Sequence, residues 1–318
     1  MAQARIVIER LSALRRGLEF ETRVIRTAGD RAKNFAALER MIRRPDGQGV
    51  FVKEIDRALL ARKIDLGVHS LKDVPTQMLD GLAIGAVLER TLAHDLFVGR
   101  APGTIEQLPP GSVIGTSSPR RAAQVRAAFP ALRVVELRGN LDTRLRQLAD
   151  ERGKLDGIIV SAAGYRRLRP GQNQATQDLP PDLFLPAPAQ GAIGVTCRQD
   201  DAFIRERLEA IHDPKTAAEV AAERALLARL EAGCTVPLGA LAETDDSGLL
   251  RLRAMVVDPD GGPPVRAEAT GDPAEPDALA SAVEMILKSR GAERILSALR
   301  ARSNGKPRAS RAAVKRRR

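Results

Sequence analysis

Hydrophobic side chains recur at helical spacing over Ala2–Leu14 and again over residues 50–61, then gather in short strand-like stretches at 64–68 and 82–88. The first pattern predicts helices and the second predicts buried strands. From residue 112 the alternation repeats: 112–115, 133–137 and 155–160 read as strands, each followed by a helical run. Strands that alternate with helices predict an α/β architecture with mainly parallel sheets. The chain is expected to cross into a second unit near 90–95. It should return through 179–190, where Pro180, Pro181, Pro186 and Pro188 rule out a helix or a central strand. Two crossings imply hinged lobes. After Asp213 the pattern changes to a helix over 216–231, a Gly-Cys loop, strands parted by Asp245-Asp-Ser-Gly248 and Asp258-Pro-Asp-Gly-Gly262, and a helical segment over 277–299. That order predicts a separate α+β domain. The expected division is 1–90 with 189–210 for lobe 1, 91–188 for lobe 2, 211–302 for the third domain and 303–318 for a basic tail.

At 318 residues with 43% apolar positions, the chain can build two or three cores. No apolar run approaches the ~20 residues of a membrane span, and the first residues lead into charged helical sequence rather than a signal core. A cytoplasmic monomer without a membrane partner is expected. Two cysteines, Cys197 and Cys234, do not make a disulfide framework. Their spacing to His69, His94 and His212 fits no zinc pattern, so no metal is expected. The net charge of +11 first suggests a polyanion partner. Eight basic residues and no acidic one fall in 301–318, however, and without them the balance is +3. That tail has no apolar periodicity and reads as a disordered, solvated extension. With no Trp, one Tyr and seven Phe, the body offers few platforms for stacked bases, so no nucleic acid is required. G-x-x-x-x-G-K-[ST] and G-x-G-x-x-G are both absent, which removes two common nucleotide sites.

The arginines of the second unit change the picture. Gly115-Thr-Ser-Ser118-Pro119-Arg120-Arg121 leaves a strand, offers Ser118 as helix cap with Pro119 at the first helical position, and places two cations in the first turn. Cations there oppose the helix dipole, and an anion bound at that end accounts for them. The same logic recurs at Arg138-Gly-Asn140, with Asn140 as the cap and Arg144 in the following turn, and at Ser161-Ala-Ala-Gly164-Tyr165-Arg166-Arg167. In parallel sheets ligands bind beyond the carboxyl ends of the strands, so three such junctions are expected to converge on one crevice. Arginine forks suit carboxylate and phosphate alike; without a nucleotide motif, a ligand rich in carboxylates is the better match.

The first unit contributes Gly67-Val-His69-Ser70-Leu71-Lys72-Asp73-Val74-Pro75. Spacing alone leaves Lys72 and Asp73 open to two readings, an idle surface pair or cleft residues; an aspartate facing an arginine-lined cleft stays ionised, and so is able to stabilise a developing cation or move a proton. His69 reads as a packed residue, and Cys197, in a strand-like run, as a buried inert thiol. Cys234 follows Gly233 just beyond a helix, where a bland thiol and an attachment point are equally compatible with the spacing.

Six segments taken together closely resemble the porphobilinogen deaminase family. They are Gly49-Val-Phe-Val-Lys-Glu54, Val68-His-Ser-Leu-Lys-Asp-Val-Pro75, Gly115-Thr-Ser-Ser-Pro-Arg-Arg121, Leu137-Arg-Gly-Asn140 with Asp142-Thr-Arg144, Leu185-Pro-Ala-Pro-Ala-Gln-Gly-Ala192 and Gly233-Cys-Thr-Val-Pro237. The resemblance implies an α/β fold of two lobes like type II periplasmic binding proteins, plus a C-terminal α+β domain bearing a cofactor. It implies that Cys234 carries a covalent dipyrromethane, that Asp73 is catalytic, and that Lys72, Thr116, Ser118, Arg120, Arg121 and Arg138 contact the cofactor. Arg144 and Arg167 would bind the substrate, porphobilinogen. The implied reaction condenses four porphobilinogens with loss of ammonia and releases hydroxymethylbilane. The chain also departs from the family pattern, with Gln48 where a lysine is usual and Pro119 where a leucine is usual. It opens inside the family's first helix, so a further strand with an Arg-x-Ser loop is expected upstream of Met1. Two other readings use the same residues: a ligand-binding protein on this scaffold, which needs no anchored primer at Cys234, and a polyanion binder acting through the tail.

Overall fold

The computed structural model describes residues 1–14, 17–28, 41, 49–150, 152–168, 175–230 and 236–303. Cys234, Gln48 and the tail from 304 onward lie outside the described residues.

Three sheets organise the described residues. The first holds β1 (Gly67–Ser70), β8 (Ile193–Arg198) and β2 (Leu82–Val87) in the order β1-β8-β2. Every residue of β8 is buried, as expected of a strand flanked on both edges and covered on both faces. One face packs Val195 and Cys197 against Val7 and Leu11, which share a stripe of the helix Ala2–Leu14 at i, i+4 spacing. The opposite face packs Leu71, Val74, Val87 and Ala192 with Val52 and Val220. Cys197 is the buried thiol expected, and burial raises its pKa. The expected strand at 64–68 begins later, at Gly67, because the carbonyl of Ile64 and the carboxylate of Asp65 are taken by Arg198 at 2.7 and 2.8 Å.

The second sheet runs β5-β4-β6-β3-β7, formed by Arg133–Val135, Val113–Gly115, Gly157–Ser161, Asp95–Gly99 and Thr176–Leu179. Unbroken apolar runs serve two faces here. Leu96, Val98, Ile158 and Val160 enter one core layer, while Phe97 and Ile159 enter the other. The prediction of mainly parallel sheets is corrected: among the described residues only β4 pairs in parallel, with β5 and β6. β3 runs antiparallel to β6 and β7, and β8 antiparallel to β1 and β2. Both strands are the first elements after a crossing between lobes, so they run opposite to the neighbours whose carboxyl ends point at the cleft.

The third domain packs the helices Pro214–Arg229, Pro276–Ser289 and Ala292–Ser303 on an antiparallel sheet, β11-β10-β9 (Val265–Gly271, Leu250–Val256, Leu238–Thr244). Leu250, Leu252, Ala254 and Val256 face those helices with the period of a strand. Met255, on the opposite face, joins Leu185 of the linker and Ala123 of lobe 2. The helical segment expected over 277–299 is two helices, because Gly291 at φ +94° ends the first in a left-handed turn.

One buried carboxylate ties the units together. Glu223 accepts hydrogen bonds from Arg90 at the first crossing (2.8 Å), from the backbone N–H of Ala189 at the second (2.5 Å) and from that of Ala242 in β9 (2.8 Å). Ala189 sits at φ +61°, a strained conformation for alanine that this bond helps to hold. Among the described residues no helix is long and apolar enough to cross a membrane.

Candidate active site

The crevice is built from strand ends. β4 closes at Gly115, and the chain then turns into the helix Pro119–Ala128. Thr116 is buried and its Oγ1 accepts the Ser118 N–H at 3.2 Å, while the Ser118 hydroxyl accepts the Arg121 N–H at 3.4 Å. This is the predicted cap, and it fixes the direction in which the next two arginines leave the helix.

Both arginines are buried, and both turn to Asp95, the first residue of β3. Arg120 Nη1 donates to Asp95 Oδ2 at 2.7 Å and to the Leu185 carbonyl at 2.7 Å. Arg121 donates to Asp95 Oδ1 from Nε at 3.0 Å and from Nη2 at 2.8 Å. Burial works against the Asp95 charge, but the two guanidiniums outweigh it and hold the carboxyl well below the usual range. Gln190, at the second crossing, donates to Asp95 at 2.8 Å and accepts from Arg121 at 3.2 Å and from Lys72 Nζ at 3.3 Å. A single amide thus joins lobe 1, lobe 2 and the linker.

Asp95 neutralises one of these cations, and more positive charge lies alongside. Asn140 caps the helix Leu141–Ala149 as expected, accepting the Thr143 N–H at 2.9 Å. Arg144 in that first turn donates to the Gly139 carbonyl and to Ser117, each at 2.9 Å, which brings the second junction onto the first. Burial, then the charges of Arg121 and Arg138, bring Arg144 down to about 10. Arg138 lies 3.6 Å from Glu136. Lys72 is lowered to about 8, chiefly by burial and then by Arg121 and Arg120, against the opposing pull of Asp73 and Asp95. Burial that disfavours the charged forms of Lys72 and Arg144 makes an incoming anion a favourable partner for both.

The third junction delivers Arg167 from the helix Ala162–Leu168, with Nη2 donating to the Gly191 carbonyl at 2.6 Å and to Thr91 at 3.3 Å. A cavity of about 270 Å³ opens beside it, lined by Gln3, Ser70 and Lys72 of lobe 1 and by Ser161, Gly164 and Arg167 of lobe 2. Gln3 Nε2 donates to Ser70 Oγ at 2.7 Å. Asp73 is exposed at the end of the short turn Leu71–Asp73 that follows β1. His69 is packed, 3.0 Å from Thr196 Oγ1, and burial lowers it to about 4, so the imidazole is neutral near pH 7.

Asp95, Gln190 and Gln3 are functional candidates that the sequence reading missed. A charged residue opening the apolar run Leu96-Phe-Val98 is a signal for the first, because a buried strand end tolerates a carboxylate only with cationic partners. Gln190 and Gln3 carry no comparable signal.

Residues 1–206 match the family described as "Porphobilinogen deaminase, dipyromethane cofactor binding domain", and residues 217–288 match "Porphobilinogen deaminase, C-terminal domain". A porphobilinogen deaminase of Thermus thermophilus is 42% identical over 300 residues, covering 94% of this chain and 95% of that protein. One from Syntrophobacter fumaroxidans is 46% identical over 286 residues, covering 90% of each, and one from Staphylococcus carnosus is 39% identical over 299, covering 94% of each. With both domain types matched in order and relatives aligned along nearly its whole length, the chain belongs to the porphobilinogen deaminase family.

Proposed function

We propose that this protein is a cytoplasmic hydroxymethylbilane synthase. It joins four porphobilinogens, with loss of one ammonia for each, and water then cleaves the chain from the cofactor to release the linear tetrapyrrole hydroxymethylbilane. The observation that carries this reading is the gathering of Lys72, Arg121, Arg138 and Arg144 from both lobes beside the exposed carboxylate of Asp73. Pyrroles bearing acetate and propionate arms match that surface, since each added unit brings two more carboxylates to be neutralised. A dipyrromethane cofactor fits the same residues: Lys72, linked through Gln190 to Arg121, and Arg144, held at Gly139 and Ser117, form a basic cluster suited to its acidic arms. Attached to Cys234, it supplies the pyrrole end to which substrate units are joined.

The chain's own residues then divide the work. Arg121, Arg138 and Lys72, with Thr116 and Ser118 shaping the turn, hold the cofactor's acidic arms. Arg120 acts through Asp95, which keeps Arg121 in place. Arg144 and Arg167 hold those of the arriving porphobilinogen. Asp73 stabilises the positive charge left on that pyrrole as its aminomethyl nitrogen departs as ammonia, and it takes up a proton released when the new carbon–carbon link forms.

Intact-protein mass spectrometry and porphobilinogen consumption test the reading together. The active protein should carry a two-pyrrole adduct that Cys234→Ser loses and Cys197→Ser keeps. Asp73→Asn should lose about 100-fold or more in turnover with little change in melting temperature. An unmodified yet active protein, or near-normal turnover without Asp73, overturns it.

A further inference from the structure

Arg224 stands on the helix Pro214–Arg229 of the third domain, yet its hydrogen bonds are made in lobe 1. Nη1 donates to the carbonyl of Val74 at 2.8 Å, and Nη2 donates to that of Pro75 at 2.6 Å. These are the two residues directly after Asp73. A guanidinium fork that holds two successive carbonyls fixes the orientation of both peptide planes, which a single bond does not.

The turn beneath is held from its other side as well. Leu71 N–H donates to the Ala192 carbonyl at 3.1 Å, extending the register of β1 on β8, and Val74 N–H closes the turn on the Leu71 carbonyl at 3.1 Å. Lys72 and Asp73 therefore ride between a sheet anchor inside lobe 1 and a clamp from another domain. Both bonds of the clamp go to neutral carbonyls, and burial lowers the Arg224 pKa, so this cation is half-buried without an acidic partner among the described residues. Nothing in the packing of the helix calls for a cation there; the carbonyls after Asp73 do. The preceding residue, Glu223, holds the two crossings, and the same helix ends at Arg229, directly ahead of the segment that contains Cys234.

We infer that Arg224 is a positioning residue for Asp73: the domain that bears Cys234 sets the angle and depth of the reacting carboxylate through the Val74 and Pro75 carbonyls. The inference rests on the reading of Asp73 given above. A displacement of about 1 Å at a reacting group costs up to about 100-fold in rate, so the clamp acts on turnover more than on substrate binding.

The test compares the full-length enzyme with Arg224→Met, Arg224→Lys and Asp73→Asn, each checked by mass for the adduct. Arg224→Met should keep the adduct, lose about 10- to 100-fold in kcat and change KM for porphobilinogen less than about threefold. Arg224→Lys, which holds one carbonyl at a time, should recover part of that loss. Millimolar methylguanidinium should raise the kcat of Arg224→Met and leave Asp73→Asn unchanged. If Arg224→Met does not fold, the kcat of Arg224→Lys decides: a fall without a matching rise in KM supports positioning. Normal kcat with only a lower melting temperature makes Arg224 a domain clamp and overturns the inference while Asp73→Asn stays inactive. An active Asp73→Asn overturns the reading beneath it, whatever Arg224 does.

Discussion

Asp95 determines how much of the cleft's positive charge is left for a ligand. Its carboxylate has no exposed surface, and it accepts from Arg120, Arg121 and Gln190. Asp95→Asn would leave two buried guanidiniums without their anion. The expected loss is about 3–5 kcal/mol of stability, read as a lower midpoint in urea, and a smaller share of the protein should carry the adduct because Arg121 is no longer held. Adding Arg120→Met to that variant should cost less than the two changes summed. Lys72 gives a second prediction. Brought to about 8, it is charged below that pH and neutral above it, so its hold on the cofactor's acidic arms should loosen and kcat fall as pH passes 8, and Lys72→Arg should remove that limb. In the absence of ligand the sign for stability is opposite: between about 8 and 10.5 only the unfolded chain still binds the proton, so the fold gains stability as pH rises. Lys72, Asp73 and the arginines after each strand could be singled out because they sit in short local motifs, while the roles proposed for them come from the family resemblance. Asp95 was not legible, since its pairing with Arg121 spans 26 positions and depends on the place of β3 in the sheet.

The helix starts at Ser118 and Asn140 were legible for a related reason: a cap is a bond between residues three apart, and the sequence displays both partners. Strand direction was not, because an alternating pattern of strands and helices does not reveal which strands have just crossed between lobes. The junction at Gly139 shows how narrow such an element is. It sits at φ +109°, and a Cβ there would lie 2.7 Å from the side chain of Thr143. Gly139 also supplies the carbonyl that receives Arg144 Nε at 2.9 Å. Gly139→Ala should therefore cost about 1–3 kcal/mol by calorimetry and, by moving Arg144, raise KM more than it lowers kcat. A variant with the wild-type melting temperature and KM would show that the turn tolerates a side chain and that Arg144 is not set by it.

Across the whole molecule, three units depend on Glu223, which receives donors from both crossings and from β9. Glu223→Gln keeps the shape and one acceptor oxygen but leaves Arg90 only Glu219, 3.6 Å away, as a buried anion; about 1–3 kcal/mol should be lost. Because the bond is shared by all three units, their unfolding should also separate into distinct calorimetric transitions. A single transition at an unchanged midpoint would show that the units are coupled elsewhere. The interleaving of the chain has a further consequence for how it is made. β8 is the middle strand of lobe 1, yet it starts at Ile193, while its partner β2 ends at Val87. On the ribosome, at about 5–20 residues per second, the gap lasts roughly 5–20 s. Throughout that time β1 and β2 have no strand between them, while the whole of lobe 2 emerges and is free to fold. Lobe 2 should therefore be the first folded body of the nascent chain. A chain stalled before Ile193 should hold a finished second lobe joined to an open first one, with two unpaired strand edges that a chaperone must cover.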